Sequence, residues 1–258
     1  MSIRFLLLAG LALLAGCATA PDLPPVPEYA PSQLSALTWR AVVVAGDASI
    51  NAFDNAADRL AQDLAKRGAI APSDIHRYSA RPRRPAGVQL ASTGNVLDGI
   101  AALKPAPGQG CLIFATAHGA PERGLYFPAN QGDPLLDADR LHSALAIGCG
   151  NAPTVVILSG CFAGGYLRPP MLRANRVILT AARRDRTSFG CGAGNVFTEF
   201  DDCMLGAAED GHGPWSDVFT AARLCVAARE RIQNVLPSEP QSFIGPAVAA
   251  LRPPWRTP

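Results

Sequence analysis

The chain has 258 residues, which is enough for one α/β domain with a large core and short for two. Hydrophobic residues make up 48% and charged residues 17%, so the composition is that of a globular protein rather than a disordered one. A formal net charge of +2, with no basic stripe between aromatic residues, indicates no nucleic-acid partner.

The first residues predict an exported protein. A short basic start, Met1 to Arg4, precedes an apolar stretch over 5–15 that is too short to span a bilayer as a mature helix. Residues 1–16 are therefore predicted to be a signal peptide. The sequence Leu14-Ala15-Gly16-Cys17 matches the bacterial lipobox, in which Cys17 is lipidated and becomes the amino terminus; an ordinary signal peptide with an incidental cysteine is the alternative.

The expected location is the bacterial cell envelope, with the protein bound to the membrane by its lipid. Because Ala18 rather than an aspartate follows Cys17, an outer-membrane protein facing the periplasm is favoured over an inner-membrane one. Residues 17–37 are rich in proline and lack periodicity, so we predict a tether there. The folded domain is predicted over 38–258.

Strands and helices alternate along this domain. Short aliphatic runs predict strands over 41–46, 75–79, 111–117, 154–160 and 176–181. Helical spacing and capping residues predict helices over 56–66, 94–103, 137–147, 196–208 and 215–234. This order predicts an α/β fold with a mostly parallel sheet and helices on both faces.

Two of the predicted strands end in a reactive side chain. The run from Cys111 ends at His118-Gly119, and the run from Thr154 ends at Cys161 with glycines around it. If these strands are parallel neighbours, His118 and Cys161 meet at the edge where open α/β sheets bind ligands. A nearby imidazolium lowers the pKa of a thiol from about 8.5 and generates the nucleophilic thiolate.

Seven cysteines in an exported chain need partners or roles. With Cys17 lipidated, six remain, and they allow fifteen pairings. If Cys161 is a reduced nucleophile, an odd number is left, so at least one more thiol is free or forms an intermolecular disulfide. Cys191 and Cys203 are close in sequence and are one possible disulfide. No C-x-x-C pair occurs and the histidines are scattered, so neither a metal nor another cofactor is predicted.

Several blocks together resemble the legumain-like cysteine peptidases, peptidase family C13 of the caspase-like clan, and most closely their bacterial lipoprotein members. These blocks are Val43-Val44-Ala45-Gly46, Thr116-Ala117-His118-Gly119, Ser159-Gly160-Cys161, Leu179-Thr180-Ala181-Ala182, Ser188-Phe189-Gly190-Cys191 and Pro237-Ser238-Glu239-Pro240-Gln241. The resemblance implies a caspase-like three-layer sandwich. It also implies that His118 is the general acid/base, that Cys161 is the nucleophile, and that the N–H groups of Gly119 and Cys161 form the oxyanion hole.

The sequence departs from legumains around the specificity pocket. Asp54 stands where they carry an arginine, and Ala52 replaces an asparagine that supports the histidine, for which Asn51 or Asn55 are possible substitutes. An acidic Asp54 would favour a basic P1 residue, the residue on the acyl side of the scissile bond. The resemblance also makes Ser159 and Ser188 candidates for the wall of the substrate pocket. Ser159 stands where legumains carry a glutamate.

Two classes of function remain open at this point. The first is a membrane-anchored cysteine endopeptidase, or a transpeptidase, that acts on peptide or protein substrates. The second is a catalytically silent relative that serves as a binding or scaffold lipoprotein. A hydrolase or acyltransferase for small molecules is a further possibility, because a His-Cys pair does not specify an amide. The oligomeric state is not predicted.

Overall fold

The structure is a computed structural model that describes residues 23–68, 70–129, 132–192, 194–210 and 213–255. The predicted signal peptide, the lipobox cysteine Cys17 and His212 lie outside these residues.

The core of the fold is a seven-stranded sheet. Its strands in chain order are β1 (Thr38–Ala45), β2 (Ile75–Ser79), β3 (Gln89–Leu90), β4 (Gln109–Thr116), β8 (Thr154–Ser159), β9 (Arg176–Thr180) and β10 (Gln241–Ile244). The intervening β5 (Gly119–Ala120), β6 (Gly124–Tyr126) and β7 (Leu135–Leu136) form a small antiparallel sheet. The large sheet has the order β10-β9-β8-β4-β1-β2-β3, and only β10 runs antiparallel to its neighbour.

Helices cover both faces of this sheet. The helices are α1 (Pro31–Ser35), α2 (Asn51–Arg67), α3 (Thr93–Ala101), α4 (Ala138–Gly148), α5 (Glu199–Asp210) and α6 (Trp215–Gln233). Apolar side chains of α2, α5 and α6 pack on one face, and those of α3 and α4 pack on the other. Because both faces are covered, β4 and β8 are buried along almost their whole length, as a continuous aliphatic run predicts. The predicted α/β class with a mostly parallel sheet is confirmed.

Three parts of the chain differ from the prediction. The last part of the predicted tether belongs to the domain, because Pro31–Ser35 is helical and Leu34 and Leu37 are buried in the core. Helix α2 begins at Asn51, five residues before its predicted start, because its first turns bury Phe53 against the sheet. The edge strand β10 was not predicted, since its four residues are polar and apolar without a clear pattern.

Two disulfides fix helices in the structure. Cys111 of β4 is bonded to Cys149 at the end of α4, and Cys203 of α5 is bonded to Cys225 of α6. The suggested Cys191–Cys203 pair is therefore wrong, since the side chain of Cys203 faces the adjacent helix α6. Cys161 and Cys191 are free, which confirms that a second thiol besides Cys161 is unpaired.

The segment before α1 is attached to the amino-terminal end of the sheet. The side-chain amide of Asn151, in the turn before β8, donates hydrogen bonds to the carbonyl oxygens of Pro24 and Pro25 at 3.2 and 2.9 Å. Arg173 donates to the Pro24 carbonyl as well. Among the described residues, no helix is long and apolar enough to cross a membrane.

Removing the helix–helix disulfide tests its contribution to the fold. The bond closes a sequence separation of 22 residues, and a loop of that length predicts a stabilisation of about 3 kcal/mol through the unfolded state. We expect the Cys203→Ser/Cys225→Ser double variant to lose about that much free energy of unfolding in urea. Cys191→Ser, at a free thiol, is the control; equal losses in both variants would contradict the assignment.

Candidate active site

The ends of β4 and β8 bring His118 and Cys161 to the same edge of the sheet. The two strands are parallel neighbours, and Thr116 pairs with Ser159 in register. The pairing continues for one residue, because the N–H of Ala117 donates to the Ser159 carbonyl at 3.0 Å. His118 and Cys161 each lie two residues beyond this register pair, at the carboxyl end of adjacent strands about 4.8 Å apart.

Gly119 packs directly against the backbone of Cys161. A Cβ atom at position 119 would lie 1.9 Å from the Cys161 carbonyl oxygen and 3.1 Å from its nitrogen. Hydrogen-bonded and non-hydrogen-bonded positions alternate along an antiparallel strand pair. The His118 carbonyl accepts a hydrogen bond from the Tyr126 N–H, so Gly119, the next residue, occupies a non-hydrogen-bonded position opposite Leu125. This alternation points the Gly119 N–H away from β6. The backbones of the two predicted oxyanion-hole residues are thus in contact.

The chain turns sharply after Cys161. Phe162 has a φ of 60°, in the left-handed region, and its N–H donates to the Arg186 carbonyl at 2.8 Å. A left-handed conformation is costly for a bulky residue and is kept only where the surrounding structure enforces it. Here it presents Cys161 at the tip of the turn, where the side chain is partly exposed.

The thiol of Cys161 is held by Ser188. The Ser188 N–H donates to Sγ at 3.3 Å, the Ser188 carbonyl oxygen lies 3.7 Å from Sγ, and the hydroxyl lies at 3.9 Å. Ser188, a pocket candidate from the sequence, is therefore next to the predicted nucleophile.

His118 contacts residues that the sequence did not single out. Its Nε2 lies 3.3 Å from the Ser49 hydroxyl, and its ring meets Phe53 edge to face with centroids 5.2 Å apart. Both residues come from the loop and first turn after β1. His118 and Cys161 do not hydrogen-bond to each other. In sites of this kind the pair often tightens only when substrate binds.

Neither candidate replacement for the missing asparagine contacts His118. Asn51 accepts a hydrogen bond from Arg81, and Asn55 donates to the Val196 carbonyl at 2.9 Å. Ala52 is buried in the core. The polar side chain that contacts His118 is instead Ser49. Its place in a short polar loop directly after the first strand is the sequence signal that could have identified it.

Asp54 does not supply a free negative charge to the pocket. It is 2% exposed and accepts hydrogen bonds from Ser79 at 2.7 Å and from Arg77 at 3.1 Å. Its second oxygen forms an ion pair with Arg81 at 3.0 Å. Because two arginines compensate this carboxylate, the argument that Asp54 selects a basic P1 residue is wrong.

A different carboxyl group, Asp201 of α5, lies beneath the two strand ends. Its Oδ2 accepts a hydrogen bond from the Thr116 hydroxyl at 2.8 Å. Burial raises the pKa of Asp201 to about 6, and the nearby hydroxyl groups of Ser159, Thr116 and Thr198 offset only part of that increase. The pocket candidate Ser159 is thus buried beside Asp201. No sequence pattern singled out Asp201, because an aspartate inside an amphipathic helix usually faces solvent.

One further histidine, His142, is buried on α4, with its Nδ1 3.1 Å from a side-chain nitrogen of Arg176. In the part of the chain that the structure describes, no group of three or more His, Cys, Asp or Glu side chains is placed to hold a metal ion.

Gly119 provides a test of the contact with Cys161. A methyl group at this position would overlap backbone atoms, and such overpacking typically costs about 1–3 kcal/mol. We expect Gly119→Ala to lower the free energy of unfolding in urea by about that amount. Gly165→Ala is the matched control, since a Cβ at 165 meets nothing within 4 Å; equal effects of the two changes would show that the contact is absent.

The raised pKa of Asp201 predicts that the stability of the protein depends on pH. Its folded pKa of about 6 exceeds the ordinary 3.8, so the folded state binds more protons and stability falls as pH rises from about 4 to about 6. Relative to Asp201→Asn, the wild type should lose about 3 kcal/mol of unfolding free energy between pH 4 and 7. Urea denaturation at several pH values measures this.

The control for this experiment is Asp210→Asn, at the exposed end of the same helix. Burial also raises the pKa of Asp63 to about 6, but both variants keep Asp63, so its contribution cancels in the comparison. A difference between wild type and Asp201→Asn that does not change with pH would contradict the raised pKa.

Comparisons with known proteins agree with this geometry. Residues 93–209, which include His118 and Cys161, match the sequence model of the Peptidase C13 family. No curated protein matches the chain in sequence. Among solved structures, the fold is similar to caspase-1 from Spodoptera frugiperda, with a TM-score of 0.59, 12% identity, and an alignment that covers 81% of this chain and 87% of that chain.

At 12% identity the caspase comparison shows the fold alone, whereas the family match covers the two strand ends that carry His118 and Cys161. The family match indicates a cysteine-peptidase-like function. Together the two comparisons support a C13 caspase-like family, with the family match covering residues 93–209.

Proposed function

We propose that this protein is a cysteine endopeptidase in which His118 and Cys161 form the catalytic pair. The observation that carries the proposal is the register of β4 with β8, which presents both side chains at one edge of the sheet. Gly119 packs against Cys161 at the same place. A nucleophile, a general acid/base and two adjacent backbone N–H groups are the parts that acyl transfer requires.

In the proposed reaction, the Cys161 thiolate attacks the carbonyl carbon of a peptide bond. The N–H groups of Gly119 and Cys161 bind the resulting oxyanion, and each such donor typically contributes about 3 kcal/mol to transition-state stabilisation. The C–N bond then breaks as His118 gives its proton to the leaving amine. A thioester remains on Cys161. Water releases the acyl group in hydrolysis, and an amine releases it in ligation.

The location is part of the same proposal. Lipidation at Cys17 would place the domain in the bacterial cell envelope, on the outer membrane facing the periplasm. The support for this is the lipobox at 14–17 together with the preceding apolar stretch. Acyl chains contribute about 0.8 kcal/mol for each buried CH₂, so a triacylated cysteine needs no transmembrane helix for stable attachment.

A catalytically silent scaffold is the second candidate. Two observations favour it: His118 contacts Ser49 rather than Cys161, and an alanine occupies position 52. The two candidates differ in whether Cys161 is a reactive thiol at neutral pH.

Peptide cleavage by the full chain in detergent tests the proposal. We expect a diverse peptide pool to be cleaved, and Cys161→Ala or His118→Ala to reduce kcat/KM by at least about 1000-fold, because each removes a group that takes part in bond breaking. Mass spectrometry identifies the products and separates hydrolysis from ligation. Cys191→Ala, which removes the other free thiol, is the matched control and should retain cleavage.

Alkylation separates the peptidase from the silent scaffold. Burial raises the pKa of Cys191 to about 12, so iodoacetamide near neutral pH should react with Cys161 first. Rapid, Cys161-dependent labelling that follows a thiolate titration below pH 8 would support the peptidase. Slow labelling without any peptide cleavage would favour the scaffold.

A further inference from the structure

Two buried carboxylates at the catalytic end of the sheet have no cationic partner. Asp201 is 0% exposed, and its Oδ1 is a buried atom with no hydrogen-bond partner among the described residues. Asp47 is 4% exposed, and its Oδ1 accepts the Ser49 N–H at 2.7 Å. In the described part of the chain, neither carboxylate forms an ion pair, although seventeen ion pairs occur elsewhere.

Both carboxylates lie around the ends of the catalytic strands. Asp201 binds the hydroxyl of Thr116, whose register partner Ser159 lies two residues before Cys161. Asp47 follows Gly46, whose N–H donates to the Thr116 carbonyl at 2.9 Å. The Ser49 hydroxyl contacts His118, while the N–H of the same residue binds Asp47. Thr116 thus contacts Asp201 through its hydroxyl and Gly46, the residue before Asp47, through its carbonyl.

The thiol of Cys191 responds to the same groups. Burial raises its pKa, and the charges of Cys161, Asp201 and Asp47 raise it further. Cys161, Asp201 and Asp47 therefore all lie within electrostatic range of Cys191. Cys191 itself belongs to the loop that begins with Ser188, which touches the Cys161 thiol.

Two other carboxylates near these strand ends have arginine partners. Asp54 pairs with Arg77 and Arg81, and Asp202 pairs with Arg59 and Arg229. A buried charge without a partner is costly, so such groups either take up a proton or bind a cation. Here no described side chain supplies the cation, and a substrate side chain can do so.

We propose that Asp201 and Asp47 form the base of the P1 pocket and that they select a lysine or arginine side chain. This inference rests on the proposed peptidase function. Thr116 and Ser159 each lie two residues before His118 and Cys161, and two residues of extended chain span about 7 Å. The Asp201 carboxylate beneath Thr116 and Ser159 therefore lies at a distance from the nucleophile that a long P1 side chain can bridge. A guanidinium or ammonium group donates to the unpartnered Oδ1 of Asp201 and gains a charge-assisted hydrogen bond there.

The same arrangement disfavours other P1 residues. An acidic side chain would meet two like charges, and a short amide would leave Asp201 without a cation. The basic preference that the sequence suggested through Asp54 is thus attributed to different residues, since Asp54 is neutralised by its arginines.

Matched peptides test this assignment with the full chain in detergent. Substrates that differ only at P1 carry arginine, lysine, citrulline, asparagine or aspartate. Citrulline has the shape of arginine without its charge, so we expect arginine to be cleaved at least about 100-fold faster in kcat/KM. Asp201→Asn and, separately, Asp47→Asn should each reduce the arginine-to-citrulline ratio at least about 10-fold. Asp210→Asn, the same change at an exposed position of α5, should keep the ratio.

The outcomes distinguish this inference from the function on which it rests. Cys161-dependent cleavage that prefers asparagine, aspartate or citrulline at P1 would overturn the inference and leave the peptidase intact. No Cys161-dependent cleavage of any substrate would overturn both. If either aspartate variant fails to fold, as judged by circular dichroism, the other variant and the wild-type P1 profile still decide the question.

Discussion

The pairing of β4 with β8 is the constraint on which the rest of the site depends. Parallel strands advance together, so fixing Thr116 opposite Ser159 also fixes the residues two positions further on. A shift of one residue would turn either side chain to the opposite face of the sheet. The sheet enforces this register because both faces are buried by helices, and Cys111–Cys149 additionally links β4 to the helix that precedes β8.

The backbone around His118 and Cys161 follows from the same constraint. Gly119 and Cys161 come so close that only glycine fits at the first position, and Gly160 approaches Ala117 for the same reason. Gly164 similarly permits the approach of Ala182 and Arg184, whereas Gly165 has open space around it. These glycines mark contacts between protein segments that support the turn at Cys161.

The sequence predicted the features that have a local cause. Buried parallel strands appear as aliphatic runs, and helices appear through spacing and caps, so the α/β architecture and the two strand ends at His118 and Cys161 were accessible. The partners of these side chains were not. Ser49, Asp47 and Asp201 approach the strand ends from a loop and from a helix 85 residues away from Thr116, and no local pattern encodes that approach.

Charge compensation was the least predictable property. Aligned with legumains, Asp54 appeared to reverse the charge of the pocket, yet Arg77 and Arg81 of the neighbouring β2 segment neutralise it. The disulfides show the same limitation, because closeness in sequence suggested Cys191 and Cys203, whereas helix packing places Cys225 beside Cys203. In both cases the deciding partner comes from an adjacent element of the folded domain.

The attachment of Pro24 and Pro25 to Asn151 sets the orientation of a lipid-anchored molecule. If Cys17 carries the lipid as proposed, the seven residues from Cys17 to Pro24 span at most about 25 Å. The amino-terminal end of the sheet then lies near the bilayer surface, and the catalytic end points away from it. Such an enzyme would process polypeptide segments that extend into the surrounding compartment. It would reach a neighbouring membrane protein only where that protein extends further from the bilayer than the domain is thick.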